Sequence, residues 1–115
     1  IATNPDVSGP SDEGTLPACG SIAAMITAAT GKMPYFVGKP NPIMIRAGLN
    51  RIDAHSETTA FVGDRMDTDM RAGLEAGLQT HLVLTGSTKL ADVTTYPFRP
   101  IAIHEGIGGL VPLIS

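Results

Sequence analysis

The sequence predicts an α/β fold built on a Rossmann-like, doubly wound parallel sheet, and three observations predict it. Strand-like and helix-like stretches alternate from Pro34 onward, the pattern of βα units with parallel strands. The stretch Phe61-Val62-Gly63-Asp64-Arg65-Met66-Asp67-Thr68-Asp69 reads as a buried strand ending abruptly in an acidic loop, with a helix directly after it. Thirteen glycines and nine prolines in 115 residues call for frequent tight turns between short elements.

Taken in order, Ile1-Ala2-Thr3 is an apolar, strand-like start, and Asn4-Pro5-Asp6 ends it with turn chemistry. A beginning in mid-strand, without Met, reads as a piece of a longer protein. Residues Val7 to Thr15, rich in Ser, Gly, Pro and acid, predict an exposed loop. Ala18 to Thr30 predicts an Ala-rich helix with Ile22, Met25, Ile26 and Ala29 on one face, stopped by Gly31. Cys19, near the start of that helix, reads as a packed side chain rather than a reactive thiol.

Pro34 to Gly38 predicts the next strand. At its tip Asn41 is suited to cap a helix and Pro42 to open it. That helix runs from Ile43 to about Ile52 with Ile45, Leu49 and Ile52 as its inner stripe. His55 reads as a surface or capping residue. Thr58 to Val62 is β-branched and aromatic apart from Ala60, as a strand requires. Asp69 to Ala76 predicts a helix with small residues that allow close packing on a sheet, stopped by Gly77. Gln79 to Leu84 predicts a strand containing His81, with Thr85-Gly86-Ser87 at its tip. A short helix over Leu90 to Val93 and a strand over Ile101 to Ile103 follow. The Gly-rich Gly106 to Gly109 lacks the spacing of a nucleotide-binding loop and leads into a short terminal helix.

Composition narrows the function. Eight basic and eleven acidic residues give a net charge of −3 without a basic stripe, so no nucleic-acid footprint is expected. No apolar run approaches the length of a membrane span, and one cysteine permits no intrachain disulfide, which fits a reducing cytoplasm. The 43% apolar content supplies a core for one small domain.

The chemistry gathers at the strand tips. Asp64 stands at the carboxyl end of its strand, where open α/β sheets place their ligands. Asp69 follows five residues later, at the start of the next helix. Two carboxylates converging there suit a hard cation, Mg²⁺, with a phosphate beside it. A second reading makes Asp67 or Thr68 a helix cap and Asp69 a partner of the helix dipole. Lys39 likewise stands at a strand tip ahead of a helix: it reads either as a cation for a phosphate oxygen or as a solvated lysine. Parallel strands joined by right-handed crossovers put Lys39, Asp64, Asp69 and the Thr85-Gly86 turn on one edge of the sheet, which favours the metal–phosphate reading.

Val37-Gly38-Lys39-Pro40, then Val62-Gly63-Asp64 with Thr68-Asp69, then Gly73 and Ala76-Gly77 resemble the haloacid dehalogenase (HAD) superfamily. Ala2-Thr3-Asn4-Pro5-Asp6, Pro17-Ala18-Cys19-Gly20 and Pro97-Phe98-Arg99-Pro100 narrow the resemblance to its NagD-like, p-nitrophenyl-phosphatase-like branch. The resemblance spans nearly the whole chain and implies a Rossmann-like core with an inserted cap. It implies that residues 1–33 end the cap and residues 34–115 form the C-terminal half of the core. It also implies a Mg²⁺-dependent phosphatase in which Lys39 holds the phosphoryl group and the nucleophile's charge, Asp64 binds Mg²⁺, and Asp69 holds metal-bound water or Lys39. Asn4 and Asp6 join Lys39 as candidate substrate-binding residues. The departure concerns the nucleophile: the superfamily's Asp-x-Asp-Gly motif after an N-terminal strand is absent, as is its early Ser/Thr motif. Asp67-Thr68-Asp69 has the Asp-x-Asp form, but no Leu or Val run precedes it.

The expected function is therefore that of part of a cytoplasmic phosphomonoester hydrolase, acting on a small phosphorylated metabolite through an aspartyl-phosphate and lacking its nucleophile segment. The expected partners are that missing N-terminal half and, in addition, a second copy as a homo-oligomer. The alternative is a non-catalytic α/β binding or interaction module retaining a relic metal site. A receiver-like phosphoacceptor fits less well, because here the lysine precedes the acid cluster.

Overall fold

The computed structural model describes residues 1–114. Its centre is a three-stranded parallel sheet in the order β3 (Ala60–Gly63), β4 (Gln79–Val83), β5 (Ala102–His104). Phe61 lies opposite Thr80, and Leu82 opposite Ile103. All three strands run the same way, so their carboxyl ends share one edge.

β4 is central because it is apolar enough to be covered on both faces. Thr80, His81, Leu82 and Val83 are all buried. Leu82, at 0% exposure, packs with Met66, Met70 and Val93, and Leu84, Tyr96 and Phe98 lie against that cluster. A second cluster joins Ile45, Ala72 and Leu78, flanked by Leu49, Phe61 and Ala76. It fastens α2 (Pro42–Arg51) and α3 (Arg71–Glu75) beside the sheet.

Helix α2 begins as its sequence requires, with Pro42 in the first turn and the Asn41 side chain accepting from Ile43 N at 3.0 Å. Its inner stripe is shorter than the periodicity predicts. Ile45 is buried, whereas Ile52 is 66% exposed, because the helix ends at Arg51 and Ile52 falls on its C-cap. The strand expected over Pro34 to Gly38 shrinks to a single parallel bridge between Phe36 and Ala2, with Ala2 N donating to Tyr35 O and Val37 N to Ala2 O, both at 2.9 Å. That same bridge is all that remains of the strand-like start.

Residues Val7 to Thr15 are not a plain loop. β1 (Ser8–Ser11) and β2 (Gly14–Pro17) form an antiparallel hairpin. Its residues are small and polar because little covers either face, so the sequence carries no alternating apolar signal there. The hairpin is tied to α1 (Cys19–Thr30), with Ala18 N and Ser21 Oγ both donating to Val7 O. Gly31 closes α1 in the left-handed conformation at φ 69°. The apolar face expected on α1 lies largely open among the described residues: Ile22, Met25 and Ile26 are 53%, 66% and 52% exposed, and Ala23 is the residue that is buried.

The helix expected from Asp69 starts earlier and differently. Residues Met66–Met70 make a wide π-type turn, with Met70 N donating to Arg65 O at 3.0 Å, before α3 begins at Arg71. Neither Asp67 nor Thr68 caps it; Arg65 holds that position without a side-chain cap bond. A 3₁₀ turn over Leu90–Thr95 replaces the short helix, and a 3₁₀ turn over Ile107–Leu110 leads into α4 (Val111–Ile114).

Candidate active site

The chain leaves β3 at Gly63 and enters the acidic loop at the carboxyl edge of the sheet. Gly63 is required by what sits beside it: a Cβ there would overlap the Asp69 side chain. This close approach brings Asp69 back under its own loop. Asp69 Oδ2 accepts from the backbone N–H of Asp64 at 3.2 Å and of Arg65 at 3.1 Å, and Oδ1 accepts from Lys39 Nζ at 2.6 Å. The π-type turn makes this possible, because its extra residue carries Asp69 inward instead of out to solvent.

Asp69 is buried, while the Lys39 side chain keeps 42% of its surface in water. Their ion pair is worth about 0.2–1 kcal/mol on that account. Asp69 spends three of its roughly four acceptor positions on these donors, so most of its capacity goes to the loop N–H groups and Lys39.

Asp64 is held from the other side. Its Oδ2 accepts from Ser87 N at 2.7 Å, and its carbonyl accepts from Thr88 N at 3.1 Å. Thr88 Oγ1 in turn accepts from Met66 N at 3.3 Å. Gly86 is a glycine for the same reason as Gly63, since a Cβ there would overlap Asp64. The Ser87 N–H holds the Asp64 carboxyl below the usual carboxylate range against the opposing effect of burial, and Arg65 contributes in the same direction. Asp64 Oδ1 takes no hydrogen bond among the described residues, and Asp64 lines the same pocket as Lys39.

That pocket, about 220 Å³, is lined by Asn4, Asp6, Lys39, Asp64, Arg65 and Asp69 among others. Every residue singled out in the sequence for catalysis, metal or substrate thus borders one cavity. Asn4 turns its side chain back to accept from Asp6 N at 3.1 Å. Asp67 is outside the lining and is gripped by Arg65 through two bonds, Nε–Oδ1 at 3.0 Å and Nη2–Oδ2 at 2.7 Å. Arg65 lowers the Asp67 carboxyl, and Asp67 raises the guanidinium. A carboxylate occupied in this way is a poor candidate for attack on phosphorus.

Arg65, Ser87 and Thr88 escaped the sequence reading as site residues. Arg65 also reaches Asp6 at 3.4 Å, which connects the acidic loop to the N-terminal segment. Its neighbours in sequence gave no sign of a partner 59 positions away. For Ser87 the sign was its place in the turn after β4. For Cys19, the backbone N–H of Asn4 first and then the Thr3 hydroxyl, which donates to Sγ at 3.2 Å, lower the thiol from its ordinary value.

A hard divalent cation fits the oxygen chemistry of Asp64, a pocket-lining residue whose Oδ1 takes no hydrogen bond among the described residues. No group of three or more His, Cys, Asp or Glu side chains gathers among the described residues in a way that holds a metal, so other ligands would have to complete such a site.

Comparison with known proteins places the chain. The Hydrolase_like family, HAD-hydrolase-like, matches residues 36–110. Dihydroxyacetone phosphatase of Corynebacterium glutamicum is 59% identical over 110 residues, covering 96% of this chain and 40% of that protein. Ribonucleotide monophosphatase NagD of Escherichia coli is 50% identical over 107 residues, covering 93% and 42%. Among solved structures, 4-nitrophenylphosphatase from Thermotoga maritima superposes with a TM-score of 0.83 at 37% identity, covering 97% of this chain and 43% of that one. Glycerol phosphate phosphatase from Mycobacterium tuberculosis, solved in complex with magnesium, gives 0.81 at 35% identity, covering 93% and 32%. The chain spans about two fifths of the length of the curated relatives it matches. These 115 residues belong to the HAD-like hydrolase family, in its NagD-like branch, and correspond to a part of the longer relatives.

Proposed function

We propose that this chain is the cap end and C-terminal core of a Mg²⁺-dependent phosphomonoesterase of the cytoplasm, acting on a small phosphorylated metabolite. The observation that carries the proposal is the arrangement of Lys39, Asp69 and Asp64 around one pocket at the sheet edge. Phosphatase names among the relatives and a magnesium complex among the structural neighbours support it.

In this reading Lys39 presents its ammonium to a phosphoryl oxygen, and Asp69 keeps it aimed. Asp64, ionised and anchored by Ser87, would hold Mg²⁺ through its remaining oxygen. The bound metal would neutralise charge on the phosphoryl group, which lowers the repulsion met by an anionic nucleophile. Asn4, Asp6 and Arg65 border the side of the pocket nearest the N-terminal segment, where the non-reacting part of the substrate would lie. The attacking carboxylate, and with it an aspartyl-phosphate, would come from a segment outside these residues, since Asp67 is committed to Arg65. Such a segment has a place to dock: β3 is an edge strand, paired on one side by β4.

The test is reconstitution. The chain alone is expected to leave p-nitrophenyl phosphate with Mg²⁺ unhydrolysed above background. Adding a separately made N-terminal half bearing an Asp-x-Asp strand is expected to restore turnover, and Lys39→Ala in that assembly to cut it by about 10²–10³. A folded, reconstituted assembly without activity would favour the binding-module reading. Activity from the chain alone, lost in Asp64→Asn, would put the nucleophile within these residues.

A further inference from the structure

His81 on β4 and His104 on β5 face each other on adjacent strands, with His81 Nδ1 and His104 Nε2 3.0 Å apart. Their ring centroids are 5.3 Å apart and their planes differ by 14°. That separation is the largest the 3.0 Å contact allows for two imidazoles. The rings therefore meet edge to edge in nearly one plane, with the facing nitrogens aimed straight at each other. A bridging metal on that line would need the nitrogens about 4 Å apart, twice an ordinary Zn–N length of ~2.0–2.1 Å. A proton fits the gap observed, and an N–H···N bond of this length is a good one.

From this geometry we infer that His81 and His104 share one proton across the β4–β5 seam, and that a second proton releases β5 from the sheet. With one proton between the facing nitrogens, one imidazole donates and the other accepts, whether the pair is neutral or carries a single charge. In the singly charged pair, protonating the accepting nitrogen as well sets two N–H groups head to head and destroys the bond, leaving two imidazolium charges at contact distance. Besides the imidazole contact, the seam is a short parallel ladder of three residue pairs, His81–Ala102, Leu82–Ile103 and Val83–His104. β5 is three residues long, an edge strand, and its residues are half-buried or exposed. Leu84 N donates to His104 O at 3.0 Å and Ile101 N to Thr80 O at 2.8 Å.

Among the described residues, no carboxylate stands ready to offset the second charge. β3 (Ala60–Gly63) and the Ile107–Leu110 turn carry no titratable side chain. Asp67 and Asp69 of the π-type turn, and Arg71 and Glu75 of α3, belong to elements that pack through Leu82 and Thr80. Those side chains alternate with His81 and so lie on the opposite face of β4. Glu57 sits in the turn at the other end of the strand, and Glu105 follows His104 in sequence. Neither forms a hydrogen bond or ion pair with either imidazole among the described residues.

Amide hydrogen exchange on the 115-residue chain, corrected for intrinsic pH dependence, tests the inference. Between pH 7.5 and 4.5 the protection of Leu84 N–H is expected to fall at least tenfold relative to Gln79 N–H, which reports on the β3–β4 seam. In His104→Asn, and independently in His81→Asn, that pH-dependent difference is expected to vanish. A constant Leu84-to-Gln79 ratio across the range overturns the inference, as does a difference that persists in both variants. Absence of Leu84 protection at pH 7.5 overturns it too, since the shared proton would then hold nothing.

Discussion

The stretch from Phe36 to Leu110 and the stretch from Ile1 to Met33 have similar shares of apolar residues but use them in opposite ways. In the first, Met66, Met70, Leu82 and Val93 close on one another, and Ile45, Ala72 and Leu78 close a second cluster. In the second, α1 presents Ile22, Met25 and Ile26 to solvent and contributes Ala23 alone to the buried set. A periodic apolar face identifies a helix in both regions. Whether that face is buried depends on what the chain places opposite it. β4 offers α3 and the π-type turn a sheet face to cover; the small hairpin β1–β2 offers α1 hydrogen bonds and little area. The two regions should therefore differ in their response to substitution by more than their composition suggests.

The largest effect is expected in the first region. Leu82→Ala removes a fully buried side chain from the centre of the Met66–Met70–Val93 cluster, and such truncations cost about 2–5 kcal/mol. Urea denaturation should show a lower midpoint with a little-changed slope. A loss under 1 kcal/mol would mean that this cluster is as unsupported as α1 and would erase the contrast.

Next is the acidic loop. Asp69→Ala leaves Lys39 Nζ and the N–H groups of Asp64 and Arg65 without their shared acceptor. Loss of hydrogen bonds to a charged group costs about 1.5–3 kcal/mol, and Asp69→Asn, which keeps one carbonyl acceptor, should recover part of it. Equal loss in the two variants would assign the effect to the lysine pair rather than to the loop.

Much of this was legible in the sequence where local chemistry sets the outcome. Asn41-Pro42 marks a helix start because the cap and the fixed φ act within two residues, and Gly31 marks a stop for a similar reason. Gly63-Asp64 marks a strand tip, since a glycine there lets a side chain press against the backbone. What escaped depends on partners distant in sequence. Asp67 and Thr68 are good caps by type, yet Asp69 satisfies the loop N–H groups from inside, so the helix starts as a π-type turn. The hairpin over residues 8–17 is held by backbone pairing that polar residues do not announce. Arg65 with Asp6, and His81 with His104, become neighbours only once the segments that carry them are placed.

Acid should separate the regions again, by a smaller margin. Asp64 and Asp67 have carboxyls lowered by Ser87 N–H and by Arg65 respectively. A carboxyl whose folded value lies below its unfolded one contributes stability that is fully present above the unfolded value, about 3.9. That contribution is lost as pH falls through the lower folded value. The carboxylate part of the stability should thus be level from pH 7 to 5 and decline below about pH 4. Asp64→Asn should flatten the decline measured by thermal melts. An unchanged profile would mean that the Ser87 bond does not discriminate between folded and unfolded chains.

The smallest effect is expected on α1. Ile22→Ser and Met25→Ser replace side chains that already lie largely in water, and substitutions at such positions usually shift stability by no more than about 0.5 kcal/mol. Serine has a slightly weaker helix propensity than either residue's neighbours in the Ala-rich run, so the residual change should be a small loss. Both faces of the comparison can be measured in one experiment by placing Leu82→Ala and Ile22→Ser in the same chain. The sites share no partner, so their effects should add to within about 0.5 kcal/mol. If Ile22→Ser instead cost as much as a core truncation, α1 would be buried in solution by association of the chain with itself. In that case the loss should grow as the protein is diluted, and sedimentation would show the assembly coming apart in the variant.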